Sequence, residues 1–129
     1  MASSKQIITA LTPTEFQHLQ TNAPNNSIIV VKFGAEWCKP CKLIKPMCEQ
    51  WSATRPPNII YADIDIDESM DLYMAFKNKK MIRGVPTILA FNIALARDKW
   101  YIPDFSVEGG DISAVQHFLN KCTDVALHM

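Results

Sequence analysis

Residues 28–51 read IIVVKFGAEWCKPCKLIKPMCEQW. The first six are mostly apolar and β-branched, which is typical of a buried strand, and residues 42–51 are expected to form a helix. Cys38 and Cys41 stand at the junction between the two, where free backbone N–H groups and the helix dipole favour an anion such as a thiolate. Two cysteines with this spacing can close and reopen a small disulfide ring. The stretch therefore predicts reversible dithiol chemistry, with Cys38 as the nucleophile.

Strands and helices alternate on either side of this stretch. Thr12 and Glu15 form the pattern of a helix start, because a Thr N-cap is followed by Pro13 and, three residues after the cap, by Glu. Asp111 is expected to cap a last helix with an apolar face made of Ile112, Val115, Phe118 and Leu119. Further strands are expected at residues 7–9, 58–63, 85–91 and 105–108, and a short helix at residues 70–76. The alternation predicts an α/β layer structure.

The composition excludes several classes of protein. The chain has 129 residues, of which 48% are hydrophobic, so it is long enough for one domain with a substantial core. Its formal net charge is zero, and we therefore expect neither nucleic acid nor a membrane surface as a partner. The apolar piece at residues 7–8 is too short for a secretory signal, so a cytoplasmic location is expected. No metal site is expected, because the Cys-x-x-Cys has no second pair of ligands.

The motifs together resemble those of the thioredoxin family. Residues 37–42, WCKPCK, match the family's Trp-Cys-Gly-Pro-Cys-Lys motif except at Lys39. Residues 84–87, GVPT, match the segment that carries the family's cis-proline, and Gly109 resembles the glycine before its last helix. Other matches are Phe33, Ala35, Glu36 and Pro46.

The resemblance covers residues 7–122 and implies an α/β thioredoxin fold. This fold has a central mixed sheet of four or five strands flanked by four helices, with the dithiol exposed at one end. Residues 1–129 are accordingly expected to form a single domain.

The resemblance also implies a role for each residue of the motif. Cys38 would attack a disulfide of a substrate protein and Cys41 would resolve the mixed disulfide, with no cofactor beyond this redox-active pair. Pro40 would limit backbone freedom between the cysteines. A groove for an extended peptide would involve Trp37, Val85, Pro86 and Gly109. The expected partners are disulfide-containing proteins and either a thioredoxin-reductase-type or a glutathione-linked reductant, and the expected state is a monomer.

Three positions near the dithiol depart from the family's pattern. Lys32 stands where the family carries a buried Asp that is thought to relay a proton to the resolving cysteine. A Lys amine could replace this Asp only if burial lowered the pKa of the amine, and the alternative is that the amine reaches water while its stem packs. Lys39, a cation between the cysteines, is expected to raise the reduction potential modestly. Gly34 replaces a frequent aromatic residue, which predicts thinner packing beside the site.

The connection at residues 92–103 is longer than the family's tight turn. Its Trp100 and Tyr101 either fold back on the sheet or anchor a docking partner. Outside the motif, Cys48 is expected to be a small core residue. Cys122 is expected to be unimportant in the monomer, although an exposed thiol at this position could dimerise the protein under oxidation.

Three functions remain open from the sequence. The first is a protein-disulfide reductase, and the second is a more oxidising disulfide isomerase or oxidase. The third is a binding module that uses the groove at Pro86 and residues 92–103.

Overall fold

A five-stranded mixed sheet forms the centre of the protein in a computed structural model that describes residues 6–129. The elements in chain order are β1 (Ile7–Ile8), α1 (Pro13–Asn22), β2 (Ile28–Gly34), α2 (Lys39–Thr54), β3 (Ile59–Asp65), α3 (Met70–Asn78), β4 (Thr87–Asn92), β5 (Phe105–Glu108) and α4 (Ile112–Leu127). The strand order is β1-β3-β2-β4-β5. Strands β1, β3 and β2 run parallel to one another, and β4 pairs antiparallel with both β2 and β5. The expected mixed sheet with four helices is confirmed.

Strand β2 lies at the middle of the sheet, and all seven of its residues are buried. Its alternating side chains enter two separate cores, because successive residues of a strand point to opposite faces. Ile29, Val31 and Phe33 pack with α1 and α3, whereas Ile28 and Val30 pack with α2 and α4. Helix α2, which begins at the two cysteines, therefore packs on the fully buried central strand of the sheet.

The local helix signals are confirmed. Thr12 and Glu15 form a reciprocal capping box at α1, and the Asp111 side chain accepts a hydrogen bond from the Ser113 N–H at α4. The prediction that Ile112 belongs to the buried face of α4 is wrong, since this residue is exposed. Ile112 instead lies on the polar side of the helix with Gln116 and other polar residues.

Several element boundaries differ from those predicted. Helix α2 differs most, since it runs from Lys39 to Thr54 and exceeds the predicted residues 42–51 by three residues at each end. Strand β3 continues to Asp65 and helix α3 to Asn78, each about two residues beyond the expected end. Strand β4 begins at Thr87 and not at residue 85, because Pro86 has no N–H to donate to a neighbouring strand.

The long connection between β4 and β5 folds back onto the protein. The Trp100 ring lies 6.0 Å from the Phe16 ring and 5.5 Å from the Phe76 ring, measured between centroids. Tyr101 stacks edge-on against Trp100. The prediction that these aromatic side chains return to the core is confirmed. The docking alternative stays a prediction for the remaining surface of the connection, where Leu95 and Ile102 are exposed.

Within residues 6–129, no helix has the length and hydropathy that a membrane crossing requires. The expectation about a secretory signal concerns in part residues 1–5, which lie outside the described residues.

Candidate active site

Cys38 and Cys41 form a disulfide at the N-terminus of α2, with their Cα atoms 5.3 Å apart. Cys38 is the N-cap of the helix, and its Sγ accepts a hydrogen bond from the Cys41 N–H at 3.2 Å. This N–H is one of the helix-terminal donors that have no partner within the helix, so the cap position suits a thiolate once the disulfide is reduced. The geometry thus brings the two cysteines together and places Cys38 where an anion is stabilised.

The disulfide is less accessible than the resemblance implied. Cys38 is only 5% exposed and Cys41 only 6%, so the expectation of a dithiol exposed at one end is wrong for the oxidised state. The backbone carbonyl of Val85 lies against Cys38 Sγ, and Gly34 and Lys32 lie near Cys41.

A shallow groove borders Cys38. Its Sγ lies 3.7 Å from the carbonyl oxygen of Val85, and the Val85–Pro86 peptide bond is cis. The Gly109 N–H donates a hydrogen bond to the Pro86 carbonyl oxygen at 2.8 Å, which ties the turn after β5 to the turn before β4. The residues lining the groove are Arg83, Gly84, Val85, Pro86, Glu108 and Gly109. The structure therefore gathers Val85, Pro86 and Gly109 beside the first cysteine.

Charged side chains close one side of this groove. Arg83 and Glu108 form an exposed ion pair, and the hydrogen bond and charge of Glu108 raise the pKa of the Arg83 guanidinium. Sequence reasoning missed this pair, since its members belong to separate elements and carry no local motif.

Trp37 is the exposed aromatic residue of the site. Its side chain is 66% exposed, and its indole N–H donates a hydrogen bond to Asp67 Oδ2 at 3.0 Å. The ring is thus tied to the segment that follows β3, and Trp37 is not among the residues that line the groove. The predicted groove therefore contains Val85, Pro86 and Gly109 without Trp37, which lies on the neighbouring surface. Asp67, which orients the indole, was not identified from the sequence.

Gly110 packs against the backbone between the two cysteines. A Cβ at this position would lie 2.8 Å from Pro40 Cβ and 3.1 Å from the Pro40 carbonyl oxygen. Only glycine allows this close approach. Gly109, which the sequence singled out, has open space around it but a φ of 92°, a value that other residues rarely adopt. Gly109 is therefore required for its backbone conformation and Gly110 for its close packing against Pro40. Nothing in the sequence indicated the role of Gly110.

Lys32 lies beneath the second cysteine and is almost fully buried, at 6% exposure. Its Nζ is 3.3 Å from Asp63 Oδ1. The prediction that the amine reaches water is wrong, because Lys32 belongs to the central strand and Asp63 stands directly opposite on β3. A buried cation requires such a partner. Lys39, by contrast, begins α2 and is exposed, so solvent and salt screen its charge.

A second cleft, which we call the Gly34 cleft, reaches Cys41 from the other side. A Cβ on Gly34 would lie 3.6 Å from Cys41 Sγ and 3.7 Å from Lys32 Nζ. The space in front of these atoms has a volume of about 310 Å³. The cleft is lined by Thr9, Lys32, Gly34, Ala35, Glu36, Cys41, Lys42, Lys45, Asp63, Ile64, Asp65 and Glu68. The thinner packing expected from Gly34 is thus present as an open cleft.

The other two cysteines are buried free thiols. Burial raises the pKa of the Cys48 thiol to about 11 and that of the Cys122 thiol to about 12. Cys122 lies between α4 and the sheet with no exposed surface, so it does not meet the condition for dimerisation through an exposed thiol. Across residues 6–129, no three His, Cys, Asp or Glu side chains cluster so as to hold a metal ion.

The chain is similar to known thioredoxins. The family model described as Thioredoxin matches residues 7–100. The mitochondrial thioredoxin of Mus musculus is 35% identical over 72 residues, which are 56% of this chain and 41% of that protein. The chain therefore spans about two fifths of the length of this relative. The thioredoxin of Buchnera aphidicola is 32% identical over 85 residues, covering 66% of this chain and 73% of that protein.

A solved structure gives the same result for the fold. A thioredoxin of Nicotiana alata is 26% identical, with a TM-score of 0.65 over 91% of this chain and 92% of that chain.

Proposed function

The chain belongs to the thioredoxin family, and on this premise we propose that it is a thiol–disulfide oxidoreductase that reduces disulfides of other proteins. The observation that carries the proposal is the Cys38–Cys41 disulfide at the start of α2, with Cys38 as the N-cap and in contact with the Val85 carbonyl oxygen. A structural disulfide would need no cysteine at a helix N-cap beside a groove, whereas a reactive thiolate benefits from both.

The reaction begins with the reduced protein. The Cys38 thiolate attacks one sulfur of the substrate disulfide, so that a mixed disulfide forms and the other substrate sulfur leaves as a thiolate. Cys41 then attacks Cys38 Sγ, which restores the Cys38–Cys41 bond and releases the second substrate thiolate. The cycle needs no cofactor beyond the two cysteines, because the electron pair passes directly from sulfur to sulfur.

The groove beside Cys38 orients the substrate. Val85 offers its backbone next to the reactive sulfur, and the hydrogen bond from Gly109 to Pro86 fixes the groove wall. An extended peptide laid along an exposed backbone segment gains main-chain hydrogen bonds without regard to its sequence. Such binding suits a protein that acts on many disulfides. Trp37, exposed on the neighbouring surface, adds apolar contact area.

The Lys32–Asp63 pair acts on the second step. Lys32 Nζ and Cys41 Sγ flank the same point, where a Gly34 Cβ would sit. A nearby ammonium group favours the thiolate form of a cysteine. We therefore assign Lys32 a positioning role in which its charge promotes ionisation of Cys41 for the resolving attack. Pro40, held by Gly110, keeps the two cysteines at a constant separation.

The partners follow from this chemistry. The substrates are disulfide-containing proteins, and the oxidised protein is recharged by a thioredoxin-reductase-type or glutathione-linked reductant. We propose that the protein works as a monomer in the cytoplasm and needs neither nucleic acid nor a membrane. Fractionation of cells and sedimentation of the purified protein test the compartment and the monomeric state.

A second candidate function is a more oxidising disulfide isomerase or oxidase. Lys32 lies beside Cys41, and Lys39 lies between the two cysteines in sequence. Cations that stabilise thiolates favour the reduced form, and the reduction potential of the couple rises. The family pattern favours the reductase, whereas these two charges favour the oxidising alternative.

The deciding experiment measures the reduction potential of the Cys38–Cys41 couple in graded thiol–disulfide buffers. A value near about −270 mV supports a general reductant, whereas about −180 to −120 mV supports an isomerase or oxidase. Insulin disulfide reduction by the reduced protein measures the activity itself. Cys41→Ser should abolish turnover and accumulate mixed disulfides at Cys38, while Cys48→Ser should turn over normally. A protein that shows no redox transition and no insulin reduction would instead be a binding module.

A further inference from the structure

The two sulfurs of the Cys38–Cys41 disulfide face different surfaces of the protein. Cys38 Sγ lies beside the Val85 carbonyl oxygen, next to the groove at Pro86. Cys41 instead contributes to the wall of the Gly34 cleft, which Cys38 does not line. A molecule in the groove therefore lies against Val85, whose carbonyl oxygen is next to Cys38 Sγ, whereas a molecule in the cleft meets Cys41.

Cys41 lines the cleft with the 6% of its surface that is exposed, and residue 34 beside it is glycine. A side chain there would start 3.6 Å from Cys41 Sγ and 3.7 Å from Lys32 Nζ. A single methyl group at these distances makes ordinary van der Waals contact. A large side chain would extend into the cleft and cover the sulfur. The presence of glycine thus determines whether Cys41 can be reached from this side.

The size and charges of the cleft match a small zwitterionic ligand. Its volume of about 310 Å³ lies at the lower end of the roughly 300–1,000 Å³ that is typical of small-molecule sites. Lys42 and Lys45 lie exposed on the α2 side of the cleft, and four carboxylates also line it, those of Glu36, Asp63, Asp65 and Glu68. Ammonium groups bind carboxylates strongly, and carboxylates bind an ammonium in the same way. The cleft therefore offers partners for both charges of such a ligand.

We propose that the Gly34 cleft is a second entrance to the redox site, through which a small thiol with carboxylate and ammonium groups reduces the disulfide at Cys41 Sγ. The inference rests on the proposed function, because it concerns how the same disulfide is recharged. Protein substrates use the side of Cys38, and the small reductant uses the side of Cys41.

The reaction balances with two molecules of the thiol. The first thiolate attacks Cys41 Sγ, so that a bond forms between these sulfurs, the Cys38–Cys41 bond breaks and Cys38 leaves as a thiolate at its helix N-terminus. The second thiolate attacks the ligand sulfur of the mixed disulfide and releases Cys41, whose negative charge Lys32 stabilises. Two thiols are oxidised to one small disulfide. The protein disulfide is reduced to two thiols, which take up the two protons.

The first test uses glutathione as the probe and compares Gly34→Phe with the matched control Gly34→Ala. Oxidised protein is mixed with excess glutathione, and the free cysteines are alkylated after an acid quench and counted by mass spectrometry. The control should react at nearly the wild-type rate, whereas Gly34→Phe should react at least about tenfold more slowly, a barrier increase of about 1.4 kcal/mol. Equal rates for the two variants would overturn the proposal.

Single-turnover reduction of insulin by the prereduced proteins separates this proposal from the proposed function. In both variants Cys38 should attack insulin at nearly the wild-type rate, read as the mixed disulfide trapped by acid quench, since this first step uses the surface of Cys38. The wild type could fail to reduce insulin while glutathione still reacts more slowly with Gly34→Phe than with the wild type. The proposed reductase function would then be wrong, and the cleft would still be an entrance for small thiols.

A second variant decides the question if Gly34→Phe does not fold. Lys42→Glu reverses a charge at an exposed position of the cleft. It should raise the glutathione concentration needed for half-maximal reduction about tenfold, because the ligand carboxylate loses a charged hydrogen bond. Insulin reduction should be unaffected. A glutathione dependence identical to that of the wild type would contradict binding in the cleft.

Variants with one cysteine of the pair replaced test which cysteine the small thiol reaches through the cleft. In Cys38→Ser, glutathione disulfide should modify Cys41, and adding Gly34→Phe should slow this modification. In Cys41→Ser, the modification of Cys38 should not depend on residue 34. If both backgrounds respond equally to Gly34→Phe, the cleft does not give selective access to Cys41.

Discussion

Lys32 Nζ lies 3.3 Å from Asp63 Oδ1, and the two residues occupy directly paired positions on β2 and β3. The lysine is buried, whereas the carboxylate side chain is 41% exposed. The pair thus runs from the underside of Cys41 to the edge of the Gly34 cleft. A cation therefore lies beneath the dithiol, and the accompanying carboxylate comes from the neighbouring strand.

The two charges of this pair should have opposite effects on the resolving step. Lys32→Met removes the ammonium group near Cys41 and should slow resolution about tenfold, which corresponds to roughly 1.4 kcal/mol of lost charge interaction. Asp63→Asn removes the competing carboxylate and should accelerate resolution. The attack by Cys38 should change little in either variant.

The measurement is the two-phase release of thionitrobenzoate when the reduced protein reacts with dithiobis(nitrobenzoate). The fast phase reports the attack by Cys38, and the slow phase reports resolution by Cys41. Equal slowing of both phases in Lys32→Met would show that the lysine acts on the whole site and not on Cys41.

Gly110→Ala should destabilise the protein. Its Cβ would lie 2.8 Å from Pro40 Cβ, and the proline ring next to the disulfide has little freedom to move away. Overpacking of this kind costs about 1–3 kcal/mol of unfolding free energy. Urea unfolding of the oxidised protein measures the loss. Gly84→Ala is the control, because a Cβ there meets no atom within 4 Å. Similar stabilities for the two variants would exclude a packing role for Gly110.

Trp100→Ala should destabilise the fold through the aromatic cluster. The indole packs between Phe16 and Phe76, and truncation of a large aromatic side chain in a core costs about 3 kcal/mol. Leu95→Ala in the same connection should change stability by less than about 0.5 kcal/mol, because Leu95 is exposed. Thermal and urea unfolding provide the comparison. A stable Trp100→Ala variant would mean that the connection is held by its polar contacts alone.

The buried thiols predict a loss of stability at alkaline pH. Cys48 and Cys122 have folded-state pKa values of about 11 and about 12, above the ordinary value of 9.0. Above pH 9.0 the unfolded chain therefore loses protons that the folded protein retains, and the unfolding free energy falls as pH rises through the folded pKa values. Each thiol contributes a slope of up to about 1.4 kcal/mol per pH unit.

Urea unfolding of the oxidised protein across this pH range measures the slope. Burial raises the pKa of Tyr61 as well, so this residue adds a slope of the same sign. Cys48→Ala with Cys122→Ala should flatten the dependence without removing it. A slope unchanged by the double substitution would assign the whole effect to other groups.

The features that the sequence predicted well depend on residues close together in the chain. The capping box of Thr12 and Glu15, the buried strand before the cysteines and the Cys38–Cys41 pair each lie within a few positions. Hydrophobic patterning and capping act over such distances, so one segment carries the whole signal. The predicted strand at residues 85–91 begins two residues before β4, because Pro86 has no N–H to donate to a neighbouring strand.

The features that the sequence did not reveal depend on contacts between distant segments. Lys32 was expected to reach water, but the parallel register of β2 and β3 places Asp63 directly opposite. Gly110 showed no sign of its contact with Pro40, since the contact exists only after α4 docks near the start of α2. The burial of Cys122 was likewise open from the sequence, because its environment is set by the packing of α4 on the sheet.

The sequence by itself determined the α/β class, the family resemblance and the pair of cysteines that carries the proposed chemistry. The tertiary structure alone decided which surface each sulfur faces, which carboxylate accompanies Lys32 and that an open cleft reaches Cys41. The physical reason is the range of the interactions. Helix capping and side-chain periodicity are local, whereas strand register, burial and cleft shape arise only when segments far apart in the chain pack together.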